Sequence, residues 1–568
     1  MRNRWAGPRV ALAIAATATG LLTHAQQGTQ VHGNFSTDAQ YYNTDSAIGA
    51  VVPPQRFAAN AWANLIVTHG NFEAGARLES YNPPLAGYPA GQAYRGSGVG
   101  YRYAKFTVSD LEITVGNFFE QFGQGLVFRS YEERYLGVDN AMDGFRLRYK
   151  PHRGVYLKGF VGQQRLAFIN GPTLGPGIVR GIDAEVSLAE VLDSAWTSAN
   201  NLIIGGSFVS KYQEDRDPML VLPENVGAGA VRLNFTTPKW NVYTEYAHKI
   251  NDPNGKNGFV YKDGQALMLN ATYSTRGFGA SVGAHSFDNM FFQSDRAAAT
   301  PFDLNINFLP PLARQHTYNL PATLYPYATQ PNGEVSAQGE LFHTFRKGTK
   351  LGGKYGTKVA VNYSVAYGID TVRLGAADDT TRRLGYRSRF FTPSDRMYFQ
   401  DMNIEVRKKL SADWELALTY LNVTYDIDII QGKPGKPKVY ADIVVLEGLH
   451  KFTDRNSVRF EVQHLSTRQD QGNWATALAE FTFSPHWFVA AMDQYNYMTF
   501  GDTFLQDGKT EVKPERLHYP IGSVGYIKGG NRFQVNYGRQ RAGIFCVGGV
   551  CRQVPAANGL TVSITSTF

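Results

Sequence analysis

Cysteine is nearly absent: the 568 residues hold two, Cys546 and Cys551. That excludes a disulfide-stapled scaffold. Charge is scarce as well, at 18% of residues against roughly 25% in an average soluble protein. The formal charge is +8, of which Arg2, Arg4 and Arg9 supply three, leaving +5 for the rest. No blocks of Lys or Arg occur, so nothing points to nucleic acid as a partner. No apolar run after Leu22 is long enough for a membrane-spanning helix; "ADIVVLEGL" is typical of the short stretches present. Helical periodicity is weak, with "SLAEVLDSAWTSA" (187–199) the best candidate. Metalloprotease, nucleophile-elbow and phosphate-loop motifs are missing. The twelve His are scattered, and two Cys without a nearby His or further Cys do not complete a tetrahedral zinc site. A Ser–His pair assembled across strands, as in a barrel lipase, has no motif here. The sequence therefore calls for no enzyme activity, no metal and no cofactor.

What is present begins with an address. Arg2, Arg4 and Arg9 precede an apolar stretch, Val10 to Leu22, and Thr23-His24-Ala25 offers a small-x-small cleavage site. Residues 1–25 read as a cleaved secretory signal peptide and 26–568 as the mature chain. No Cys follows the cut, which argues against a lipid anchor.

The dominant pattern is period two. "SVRFEVQH" places Val458, Phe460 and Val462 against Arg459, Glu461 and Gln463. "KVAVNYSVAYG" sets Val359, Val361, Tyr363, Val365 and Tyr367 against Ala360, Asn362, Ser364 and Ala366, and "GFRLRYK" sets Phe145, Leu147 and Tyr149 against Arg146, Arg148 and Lys150. Strict alternation marks a strand with one apolar and one wet face. Such segments recur along the whole chain, often as hairpins, and number about 24. Neither the domain boundaries of a sandwich array nor the 40–45-residue repeat of a propeller is visible. Aromatics make up 13% of the chain and cluster near strand ends, as in "KWNVYTEY" and "PHWFVAA", which suits interfacial girdles. The chain ends on "GLTVSITSTF", an amphipathic strand with Leu560, Val562, Ile564 and Phe568 on one face. About ten tilted residues cross a bilayer, and strands live in lipid only as a closed barrel. The expected fold is all-β: a single large antiparallel transmembrane β-barrel with an inward-folded lumen segment, in the outer membrane of a Gram-negative bacterium. Phe568 then resembles the terminal signal by which such barrels are handed to their assembly machinery. Outer-membrane lipid and lipopolysaccharide are the surroundings this implies.

Several stretches together resemble an uncharacterised family of outer-membrane barrels from Bacteroidota. They are "VHGNFSTDAQYYNTD", "GARLESYNPPLAGYP", "EQFGQGLVFRSYEERYLGVDNAMDGFRLRY", "FTPSDRMYFQDMNIEVRKKLS" and "FCVGGVCRQVPAANGLTVSITSTF". The resemblance spans nearly the full mature length. It implies the fold and the membrane, and it transfers no catalytic residue.

One stretch departs from the alternation. Residues 122–144 carry Arg129, Glu132, Glu133, Arg134, Asp139 and Asp143 between strand-like flanks. A Lys or Arg on the lipid side costs about 2–4 kcal/mol at the midplane, so this middle is expected to fold inward and pair with Arg146 and Arg148. Arg–carboxylate pairs would make it a structural plug; a charged ring would make it a selectivity filter. Paired carboxylates such as Glu132 and Glu133 would need a cleft and shifted pKa values to do acid–base work. Two long connections, 293–334 and 369–396, lack sustained alternation and are expected as extracellular loops. In "CVGGVC", Gly548-Gly549 suits a two-residue turn that places Cys546 opposite Cys551, as a disulfide or as two free thiols. The leading functional expectation is porin-like passage or binding of small polar solutes, with a slight anion preference from the net charge. The alternative is a non-conducting structural or accessory subunit of an outer-membrane assembly, secretion or surface-export complex.

Overall fold

The computed structural model describes residues 28–568 apart from 89–92, 193–198, 298–304, 375–384, 500–515 and 548–549. The stretch 1–25, expected as a signal peptide, lies outside the described residues. A strand in lipid must have every backbone group paired, and this chain meets the demand by closure. Its main sheet has 24 strands. The first, Thr29–Tyr42, pairs with the last, Ala557–Thr567, in antiparallel register, Thr37 facing Ile564. Gly33 and Phe568 exchange backbone hydrogen bonds of 2.9 and 3.0 Å at the seam.

The usual relation of burial to polarity is inverted. Val462 is 51% exposed, whereas its neighbours Glu461 and Gln463 are 4% and 1% exposed. Val361 and Tyr363 are likewise exposed while Asn362 and Ser364 are buried. Ile182, Val231, Val282 and Leu418 join the outward apolar surface. Soluble monomers rarely expose contiguous apolar area of this extent, and it is the surface a membrane barrel presents to acyl chains.

The two rims differ. One carries tight turns, such as 70–71, 109–110, 153–154, 276–277 and 529–530; the other carries long connections, among them 43–56, 119–141, 289–332 and 541–556. Both connections expected to be long arise on this second rim, but neither is a simple outward loop. In 369–396, residues 369–373 and 386–396 are strand, extending Thr357–Arg373 and Tyr386–Lys409 as a hairpin, and 375–384 lie outside the described residues. Cross-strand charges rather than alternating apolar groups accompany that extension: Asp370 pairs with Arg389 in register, and their side chains meet at 3.4 Å. Residues 305–332 turn back across the lumen, and 333–334 already belong to the wall strand Gly333–Phe345. The helix expected at 187–199 forms one short turn, Leu188–Leu192, and 193–198 lie outside the described residues.

The wall also explains why 119–141 goes inward. The strands on either side of it are short, Leu111–Phe118 and Met142–His152. Beyond their ends the longer flanking strands, Tyr94–Val108 and Val155–Ile169, pair with each other at Tyr94–Phe168 and Arg95–Ile169. The connection therefore leaves the sheet beneath a closed wall.

Candidate functional site

The segment 119–141 starts "FEQFGQG", and its glycines fit a tight approach to the wall. Gly123 has φ +51, and a Cβ there would lie 2.6 Å from both carboxylate oxygens of Glu245. Glu245, on the strand Trp240–Lys249, accepts the Gln124 backbone N–H at 2.8 Å. The next residues are apolar. Phe122, Leu126, Val127 and Phe128 are fully buried against inward Phe160, Val179, Val209 and Ala228. Each such side chain stabilises the plug by about 1.5–3 kcal/mol.

The charged part then docks on the other side of the same half-barrel. Asp139 is held by Arg77 and, at 2.8 Å, by Arg165. Arg165 also makes a two-pronged contact with Glu79, at 2.9 and 2.8 Å. Glu132 receives Arg77 at 3.0 Å and Arg134 at 2.6 Å. Arg134 reaches Ser36 at 3.2 Å and lies over the ring of Trp62. Arg129 takes a different role, with its guanidinium stacked 4.4 Å from the centre of the Tyr131 ring and 4.1 Å from that of Phe308. Glu133 sits in a two-residue ribbon, Glu132–Glu133 facing Val138–Asp139. One segment thus touches strands that hold Ser36, Trp62, Arg77, Arg165 and Glu245. Strands so far apart around a closed wall are reached together only from inside it.

A second set of charges lies toward the tight-turn rim. Arg146 bonds Glu112 at 2.8 Å and the Phe119 carbonyl at 2.9 Å, and Arg148 bonds Glu120 at 2.8 Å. Burial works against ionised Glu120, but the Arg148 hydrogen bond and the charges of Lys158 and Arg148 hold its pKa below the ordinary carboxylate range. Asp143 is a correction to the expected cluster. The chain has rejoined the wall at Met142, and parity with Phe145 and Leu147 turns Asp143 to the outer surface. There it pairs with Arg102 at 3.1 Å, in a depression also lined by Val115 and Val161.

Residues 305–332, part of the stretch 293–334 expected outside, complete the filling. Arg314 bonds Asn403 at 2.8 Å and Glu405 at 3.0 Å, and His316 meets Asp401 at 2.6 Å. The Leu320 backbone N–H donates to Gln463 at 2.9 Å, and Asn319 meets Gln494. Leu320, Leu324, Tyr325 and Tyr327 form a second buried cluster with Phe399, Leu421 and Trp474. The physical reason is apolar content: these side chains find no partner in water above the rim. The two segments are bonded to each other by Arg129 N–H to the Ile306 carbonyl, 2.9 Å, and Phe308 N–H to the Gly125 carbonyl, 2.8 Å. The ribbon Gly543–Val547 with Val550–Val554 pairs Cys546 with Cys551 in register; the turn 548–549 lies outside the described residues. Arg541, just before it, bonds Thr323 of the second segment.

Between these pieces a cavity of about 490 Å³ remains, lined by Tyr131, Asn305, Phe308, Thr329 and Tyr425, among others.

A model of a family of unknown function, DUF6029, matches residues 8–568. The chain belongs to that family. No curated protein matches this DUF6029 chain. Among solved structures it is similar to the siderophore receptor PirA from Pseudomonas aeruginosa, at 10% identity and TM-score 0.39, over 95% of this chain and 80% of that one. A ferric enterobactin receptor (PfeA) variant from Pseudomonas aeruginosa gives 12% and 0.40, over 96% and 82%. Pseudomonas aeruginosa OccD3 (OpdP) gives 10% and 0.33, over 80% and 91%.

Sequence reasoning missed Arg77, Glu79, Arg165, Glu112 and Glu120 of the DUF6029 chain. A signal existed for the first two: in "GARLESY" they occupy alternate positions of one strand face, where a charge must point inward.

Proposed function

We propose that this protein is an outer-membrane barrel that binds small polar solutes from the long-connection side and restricts their passage with a built-in plug, rather than an open porin. The observation that carries this is the hydrogen-bonded bridge across the lumen. It runs from Ser36 and Glu245 through the Arg129–Ile306 and Phe308–Gly125 contacts to Gln463. A barrel of 24 strands is wider than a 16–18-stranded porin and would conduct strongly if empty. The long-connection rim faces outward in barrels of this kind. A Gram-negative outer membrane, of Bacteroidota by the resemblance in sequence, is the matching location, with lipopolysaccharide as its outer neighbour and Phe568 as the assembly signal.

Recording from planar lipid bilayers tests the reading. Small, intermittent conductance or none is expected; a large, steady conductance of the unmodified protein would overturn it.

The same filled lumen favours a second reading, a non-conducting accessory subunit of an outer-membrane complex. Stable partners recovered in mild detergent, together with no solute binding, would favour that reading over the first.

A further inference from the structure

On the tight-turn rim one connection is longer and more basic than the turns beside it. Between the strands Gly333–Phe345 and Thr357–Arg373 the sequence reads "RKGTKLGGKYG" (346–356), with four cations and no carboxylate. The loop is folded on itself. Gly348 N–H donates to the Gly353 carbonyl and Gly353 N–H to the Thr349 carbonyl, both at 2.8 Å. The Thr349 hydroxyl donates to the Arg346 carbonyl at 2.8 Å and accepts the Gly352 N–H at 3.0 Å. The chain can turn this tightly because Gly348, Gly353 and Gly356 take φ of +82, +60 and +91.

This loop and the turn 276–277 enclose a depression of about 980 Å³, lined by Arg276, His343, Phe345, Arg346, Lys350 and Leu351, among others. Arg276, Arg346 and Lys350 are all exposed, so an incoming group can reach each of them. None of the three is paired with a carboxylate among the described residues. Glu415, on a neighbouring strand, is already taken by Arg407 at 3.3 Å. More positive charge stands close by: Lys354 and Lys409 lie 5.4 and 5.8 Å from the centre of the Tyr355 ring. Like charges held together repel, and an anion entering among them relieves that repulsion.

The adjoining wall says what kind of anion. His343 and Phe345 share a strand face with Leu341, which is exposed on the outer surface. Their rings extend a row of contacts along this rim. Ring centres are 4.6 Å apart for Phe345 and His343, 6.2 Å for His343 and Phe278, 6.1 Å for Phe278 and Tyr273, and 4.8 Å for Tyr273 and Trp240. Such a girdle marks the level of the lipid headgroups. A depression at that level, basic toward the rim and aromatic toward the acyl band, suits a molecule with a phosphate at one end and hydrocarbon at the other. Arginine forks match phosphate oxygens, and a lysine adds a point charge.

We propose that this depression binds the headgroup of an anionic phospholipid of the periplasmic leaflet, with Arg276, Arg346 and Lys350 on the phosphate and the acyl chains along Phe345 and Phe278. Free phosphate would meet the same cations and leave the aromatic side unused. The choice of leaflet rests on the membrane orientation in the reading above; the site itself is independent of the lumen.

Calorimetric titration of the full-length protein in a neutral detergent tests it, with dihexanoyl phosphatidylglycerol, dihexanoyl phosphatidylethanolamine and inorganic phosphate as probes. The phosphatidylglycerol is expected to bind about tenfold more tightly than either of the others. The triple variant Arg276→Gln, Arg346→Gln, Lys350→Gln should weaken it by about tenfold or more. A second triple variant, Lys347→Gln, Lys354→Gln, Lys409→Gln, removes as much charge from the same rim but none from the lining, and should leave the affinity nearly unchanged. All six side chains are exposed, so both variants should migrate as folded barrels before boiling. Absence of phosphatidylglycerol binding would overturn the proposal. So would equal binding of the phosphatidylethanolamine or of phosphate, or an equal loss in both variants, which would reveal a diffuse field in place of a site. Large conductance of the unmodified protein sinks the proposed function and leaves this site standing.

Discussion

Glu79 and Arg165 meet in a two-pronged carboxylate–guanidinium pair, at 2.9 and 2.8 Å, with both side chains wholly buried. Neither belongs to the plug. They stand on the strands Phe72–Tyr81 and Val155–Ile169, and together with Arg77 they form the socket into which Asp139 fits.

Without the Glu79 charge, Arg77 and Arg165 are left to share Asp139, with Glu132 on Arg77 alone, so the buried site carries excess positive charge. Glu79→Gln should destabilise the docked plug by about 3–5 kcal/mol while the wall still closes. The expected readings are flickering conductance in bilayers and new protease cuts within 120–141. The current released should be weakly anion-selective, as the net charge suggests, and its reversal potential in a salt gradient measures that. A variant as silent and protease-resistant as the parent would show that the socket does not hold the plug.

Gly123 should tolerate no side chain. A Val there adds a left-handed backbone penalty of about 1–2 kcal/mol, and its Cβ would lie 2.6 Å from the oxygens of Glu245. Gly123→Val is expected to lower the temperature at which the barrel loses its unboiled mobility on gels. An unchanged transition would mean that this contact is not made.

Acid should loosen the same region through Glu120. Its folded pKa lies below the ordinary value of about 4.3, so it stabilises the folded state above that value and loses this contribution as pH falls through the folded pKa. Protease access to 120–141 should therefore rise between pH 5 and pH 3, on the order of the usual carboxylate range. In Arg148→Gln the onset should move to higher pH, because the 2.8 Å hydrogen bond that lowers the Glu120 pKa is gone.

The ring of Phe568 covers Gly33 at the seam, so closely that a Cβ on Gly33 would meet it at 2.4 Å. Phe568→Ala keeps the backbone pairing and removes that cover. We expect less protein in the outer-membrane fraction at equal synthesis, read by fractionation and immunoblot. Equal amounts in the membrane would deny the terminal residue a role in assembly.

Cys546 and Cys551 face each other in the ribbon Gly543–Val547 with Val550–Val554, and antiparallel partners lie within bridging distance. The unreduced, denatured protein should take up no alkylating reagent, and the reduced protein two equivalents. Two equivalents without reductant would establish free thiols.

The wall was legible from the residues alone because a strand between lipid and a wet interior has only one way to place its side chains. "SVRFEVQH", "KVAVNYSVAYG" and "GFRLRYK" each gave the inward and outward rows that the barrel shows, with Glu461, Asn362 and Arg146 inside. That the charges of Arg129 to Asp139 have no place in lipid was legible for the same reason. Asp143 was not, because its side depends on where the chain re-enters the sheet, and that point is set by pairing with Asn117 and Gln163.

The sequence by itself determined a closed barrel of about 24 strands and which row of each strand faces lipid, because alternation is local and backbone pairing in a membrane leaves no alternative. Only the tertiary structure decided that 305–332 turns into the lumen, that Glu79 and Arg165 meet Asp139, and that Asn305 and Thr329 share a cavity. Those contacts join residues far apart in the chain, and their cost and gain exist only once the wall has closed around them.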